Sequence, residues 1–166
     1  ATVTVGATEY PFQIQWFQPQ ATNPPRLAVV IDDLGRDLER ARAFLELELP
    51  ITPSILPELP ESVSVARLAR DRGREYLLHL PMEPQGYPEV DPGAGALLQR
   101  MDADHLRRAI AKDLRALAGA AGVNNHMGSR LTETETHMAW VMSALKERGL
   151  YFLDSVFDVT QDALFR

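Results

Sequence analysis

Three apolar runs in this chain each end on an acid or an imidazole: Val29-Val30-Ile31-Asp32-Asp33, Tyr76-Leu77-Leu78-His79 and Val123-Asn124-Asn125-His126. Continuous β-branched and aliphatic runs predict strands covered on both faces, as in a parallel sheet. In α/β proteins the carboxyl ends of such strands gather on one face, where sites are built. The pattern therefore constrains the fold and points to a place for chemistry.

The segments between these runs read as helices. Gly35 to Leu47 carries Leu38, Ala41 and Leu45 at helical spacing, and Glu61 to Arg72 turns Val65, Leu68 and Ala69 inward before Gly73. Asp102 to Ala118 places Leu106, Ile110, Leu114 and Leu117 on one stripe. Thr132 to Arg148 opens with Thr132 and Glu135 in capping-box spacing and stops at Gly149. The predicted strands are Leu27–Ile31, Ile51–Leu56, Glu75–Leu80, Gly122–His126 and Leu150–Leu153, with a Pro- and Gly-rich loop over 81–95. Strands alternating with helices predict right-handed βαβ units. Periodicity leaves open whether the sheet closes into a barrel.

Residues 1–25 differ from the rest. Thr2 to Val5, then Phe12, Ile14 and Trp16, alternate as in one or two short strands, and Gln18 to Pro25 has linker composition. This N-terminal arm and Pro-rich linker precedes a single domain over 26–166. A chain of 166 residues is long enough to bury roughly 70% of its unfolded surface.

The formal charge of -6 argues against a nucleic-acid partner, because phosphate neutralisation needs clustered Lys and Arg. Arg67, Arg70, Arg72 and Arg74 read instead as a solvated helix face. Cysteine is absent, so no thiolate metal site or disulfide framework is available. No apolar run approaches the roughly 18 residues that span a bilayer. The first residues lack the basic and apolar regions of a signal peptide, and a start at Ala1 suits a processed or trimmed form.

Taken singly, the chemical residues have ordinary readings: an Asp after a strand often caps a helix, and a core histidine is often satisfied by hydrogen bonds. The conjunction says more. One Asp and two His offer three N/O ligands and leave coordination positions open, as in catalytic zinc sites and those of other divalent metals. The other carboxylate of the Asp32-Asp33 pair is then available as a base. Asn, Gly and Ser around His126 supply groups that orient ligands or bind an anion. His105 and His137, among charged neighbours in helices, are expected at the surface. Phe44, Met138, Met142 and Leu145 are expected in the core, and Trp140 there rather than under a sugar ring.

With Ile31-Asp32-Asp33-Leu34-Gly35, His79-Leu80-Pro81-Met82-Glu83-Pro84, Asn124-Asn125-His126-Met127-Gly128-Ser129 and Phe152-Leu153-Asp154-Ser155 in hand, the chain resembles the divergent polysaccharide deacetylases. The resemblance implies a distorted, incomplete (β/α) barrel and a metal-dependent hydrolase that removes N-acetyl groups from an envelope or extracellular polysaccharide. It implies Asp32 as catalytic base, Asp33, His79 and His126 as ligands of a divalent metal, most simply zinc, and export to the periplasm or beyond. It also places Glu83, Asn125 and Ser129 in substrate binding or ligand orientation. Asp154 is expected at the catalytic centre, with Asp154 and Glu83 as candidates for the acid. The alternative is a non-catalytic envelope protein that keeps this fold and binds glycan or a protein partner.

Overall fold

A computed structural model describes residues 2–5, 8–11 and 27–155. In the arm, β1 (Thr2–Val5) pairs antiparallel with β2 (Thr8–Pro11), Val3 opposite Tyr10. The first strand falls where alternation predicts it. Phe12, Ile14, Trp16 and the Pro-rich linker lie outside the described residues.

The main sheet has five strands: β3 (Val29–Leu34), β4 (Ile51–Ile55), β5 (Leu77–Met82), β6 (Gly122–Met127) and β7 (Tyr151–Leu153). They lie side by side in chain order and every pairing is parallel. One helix fills each connection: α1 (Leu38–Leu45), α2 (Ser62–Asp71), α3 (Ala103–Ala116) and α4 (Glu135–Lys146). Sequential order without a reversal is the winding of a barrel, not of a doubly wound sheet with its switch point. All strand carboxyl ends consequently share one rim.

The core is aliphatic, with Ile55, Leu78, Leu80, Leu106, Ile110, Val123 and Val141 fully excluded from solvent. Burial of each such side chain stabilises the fold by about 1.5–3 kcal/mol. β5 is buried along all six residues, so His79 enters the structure inside an apolar strand. That explains why its polar neighbours matter so much.

Several expectations need correction. Helix α1 is shorter than the predicted Gly35–Leu47, because Asp37 caps it by accepting from the Arg40 N–H at 3.0 Å. Helix α4 begins after Thr134, and the Thr132–Glu135 capping box does not form. Thr132 Oγ1 donates instead to the Gly128 carbonyl at 2.9 Å. His137 is buried, 9% exposed, and donates from Nε2 to the Met101 carbonyl at 3.1 Å. Met142 is 46% exposed and is not core, whereas His105 is at the surface as expected. Arg70, Arg72 and Arg74 are not simply solvated: they reach the Ala118 carbonyl, Glu46 and the Leu47 carbonyl respectively.

Gly128 shows how tightly the rim is packed. Its φ is +95°, and a Cβ there would meet the Met82 Cβ at 2.9 Å, backed by β5. Gly128→Ala combines left-handed strain with overpacking, an expected loss of about 2–4 kcal/mol. Urea denaturation of the purified variant checks this value.

Candidate metal centre

The acids arrive through an irregularity in β3. Its register with β4 runs Ile31↔Pro53, then Leu34↔Ile55, so one strand advances by one residue more than the other. Asp33 takes φ 60° inside this bulge. Left-handed backbone is uncommon for a residue with a side chain, and bulges re-aim side chains beside sites. The strand thus continues through both acids to Leu34, where sequence patterning ended it at Ile31.

Here Asp33 Oδ1 lies 3.2 Å from His79 Nε2 and 3.0 Å from His126 Nδ1. The two ring nitrogens are 3.2 Å apart. One ligand atom from each of Asp33, His79 and His126 falls within 4.8 Å of the others. These are the three ligand residues expected from the sequence, converging from β3, β5 and β6.

Asn124, a residue that sequence reasoning did not single out, decides the protonation pattern. It is fully buried. Its Nδ2 donates to Asp32 Oδ1 at 2.8 Å, which turns its Oδ1 toward Ser54 and His79. The Ser54 hydroxyl donates to that oxygen, and His79 Nδ1 lies 2.9 Å from it. An amide oxygen only accepts, so His79 Nδ1 carries the proton and, in the neutral ring, Nε2 presents a lone pair. That lone pair faces a carboxylate oxygen and a second imidazole nitrogen.

A cation bound among these three groups would accept all of their lone pairs. Burial, and next the neighbouring His79 ring, lower the His126 pKa from its usual value, with Asp33 opposing. The lowered pKa favours the neutral ring that a metal requires. One carboxylate and two imidazoles, with no sulfur, suit zinc and related divalent ions. The donor set fits such an ion. Asn124→Ala should weaken metal affinity by about 10–100-fold, as removal of groups that orient a ligand does. A chelator-competition titration measures the change.

The remaining predicted residues hold the rim together. Glu83 is 5% exposed; its carboxylate accepts from the Gln99 N–H at 2.6 Å and pairs with Arg130 at 3.2 Å. Its own carbonyl accepts from the N–H groups of Arg130 and Leu131. Asn125 points the other way along β6, accepting at Oδ1 from the Ser155 N–H at 2.9 Å. Ser129 Oγ accepts from the Gln85 N–H at 3.0 Å. Asp154 follows β7 directly, between Leu153, which pairs with Asn124, and Ser155.

Five parallel strands wound in order define an incomplete (β/α) barrel, and the Asp/His/His cluster at their carboxyl ends could hold a divalent metal, consistent with a deacetylase-type site. Residues 29–162 match the divergent polysaccharide deacetylases, and the chain belongs to that family. It is 37% identical over 131 residues to the uncharacterized protein YibQ of Escherichia coli, covering 79% of this chain and 40% of that one. An uncharacterized protein of Haemophilus influenzae is 34% identical over 130 residues, covering 78% of this chain and 46% of that one. The crystal structure of the uncharacterized protein ATU2773 from Agrobacterium tumefaciens superposes with TM-score 0.74 at 27% identity, over 82% of this chain and 56% of that one. The chain therefore spans less than half the length of both curated relatives.

Proposed function

We propose that this protein is an exported, zinc-dependent deacetylase that hydrolyses N-acetyl groups of an envelope or extracellular polysaccharide. The carrying observation is the convergence of Asp33, His79 and His126 beside a second carboxylate, Asp32, which is held by Asn124. Membership of the divergent polysaccharide deacetylases supports the choice of substrate class.

Asp33, His79 and His126 would hold the ion. When bound, a divalent cation supplies Lewis acidity, lowering the pKa of the attacking water and polarising the acetyl carbonyl. Asp32 would take up the proton of the attacking water. The Asn124 amide fixes the Asp32 carboxylate while its other end fixes the His79 ring, so base and ligand are set by one side chain. Asp154, beside β6 at the end of β7, is assigned to protonation of the leaving amine. Glu83, whose carboxylate is occupied by Gln99 and Arg130, acts by positioning the rim, with Asn125 and Ser129, around bound sugar.

Two measurements test the reading. Elemental analysis of protein purified without added metal should find about one divalent ion per chain, and acetate should be released from acetylated oligosaccharides. A metal-loaded protein inactive across neutral and acidic N-acetylated glycans would overturn it, and glycan binding without turnover would favour a non-catalytic envelope protein.

A further inference from the structure

A cleft of about 300 Å³ opens beside the acids, and two arginines share its lining with them. It is lined by Asp32, Asp33 and Asp37 together with Arg36 and Arg40, and by apolar residues that include Leu34 and Phe44. Its volume lies at the small end for ligand sites, about 300–1,000 Å³.

The two guanidiniums have no structural employment. Arg40 uses its backbone N–H to cap α1 on Asp37, but neither its head nor that of Arg36 makes an ion pair or side-chain hydrogen bond among the described residues. Arg72, Arg74 and Arg130 show the contrast, each spending its head on a partner. The charges also balance unevenly. With a divalent ion on Asp33, His79 and His126, the ion and two guanidiniums outweigh three carboxylates by one positive charge. A neutral sugar gains little from two such charges, whereas a planar guanidinium matches a carboxylate or phosphate through paired N–H donors.

We infer that this cleft takes an N-acetylated sugar bearing an anionic group, carboxylate or phosphate, held by Arg36 and Arg40 beside the Asp32 and Asp33 carboxylates. The inference rests on the deacetylase reading and narrows its substrate class from polysaccharide in general to acidic glycan. Arg36 and Arg40 set specificity and take no part in bond breaking.

The test compares three probes on the metal-loaded protein: chitotetraose, a tetrasaccharide alternating N-acetylglucosamine with glucuronate, and N-acetylglucosamine 6-phosphate. Affinity is read by calorimetry and acetate release in parallel. At least one acidic probe should bind about tenfold or more tightly than the neutral one, as charge-assisted hydrogen bonds permit. Whichever acidic probe binds identifies the group as carboxylate or phosphate. The preference should shrink with added salt and vanish in the Arg36→Gln/Arg40→Gln double variant, with metal content and neutral-sugar affinity unchanged. Both residues are exposed, so the fold should survive. Equal affinity for neutral and acidic probes, no binding of any, or a preference that survives the double substitution would overturn the inference. Acetate release without acidic preference sinks it and leaves the deacetylase standing. Arginine-dependent binding without acetate release does the reverse.

Discussion

Asp32→Asn is expected to keep the metal content of the purified protein and to lower acetate release by about 10²–10⁴-fold, the usual contribution of a general base. The substitution keeps an oxygen for the Asn124 amide to bond, so the scaffold is little disturbed. His79→Ala should behave differently, losing both the ion and turnover, because it removes the buried ligand whose ring is fixed from β6. The two variants, compared by elemental analysis and turnover, separate a group that moves protons from one that holds an ion. Loss of metal in Asp32→Asn would show that Asp32 is a ligand and would exchange the assignments of the two acids.

Asp113 leads to the second large effect. It is buried on α3, 1% exposed, with neither carboxylate oxygen hydrogen-bonded among the described residues. A Cβ on Gly95 would lie 3.0 Å from its Oδ2, so glycine is what lets the loop close over it. Burial, then the negative charge of Glu58, push the Asp113 pKa from 3.8 up to about 7, against the pull of Lys112. Between those values the folded chain keeps a proton that the unfolded chain has lost. Stability is therefore full below about pH 4 and falls as pH rises to about 7, after which this contribution is flat. At about 1.4 kcal/mol per unit the shift corresponds to roughly 4 kcal/mol. Asp113→Asn should abolish that slope, matching the wild type near pH 3 and exceeding it near pH 8. Denaturant midpoints at the two pH values measure the difference, and an unchanged slope would refute the account.

The convergence of Asp33, His79 and His126 could be read from sequence because each ends a distinct apolar run, and parallel strands bring such ends together. Asn124 was equally within reach. Side chains alternate along a strand, so Asn124 and His126 share a face of β6 while Asn125 takes the other. Asn125 accordingly goes to Ser155, and Asn124 goes to Asp32 and His79. His137 was misplaced by its charged neighbours, although it lies one helical turn before buried Val141. Counting the stripe would have buried it. The bulge at Asp33 is another matter: no local pattern announces it, because it arises from pairing with Ile51–Ile55, distant in sequence. Likewise the opening of α1 at Asp37 was hidden by a run equally able to start two residues earlier.

The sheet order has a mechanical corollary. Asp33 and His79 sit on strands that do not pair with each other, with β4 between them. A cation gripping both would clasp the sheet across its middle member, so peeling away the outermost strand would first require releasing the ion. Fraying at that edge would thereby become a function of free metal concentration, and an ion held there would guard the chain itself.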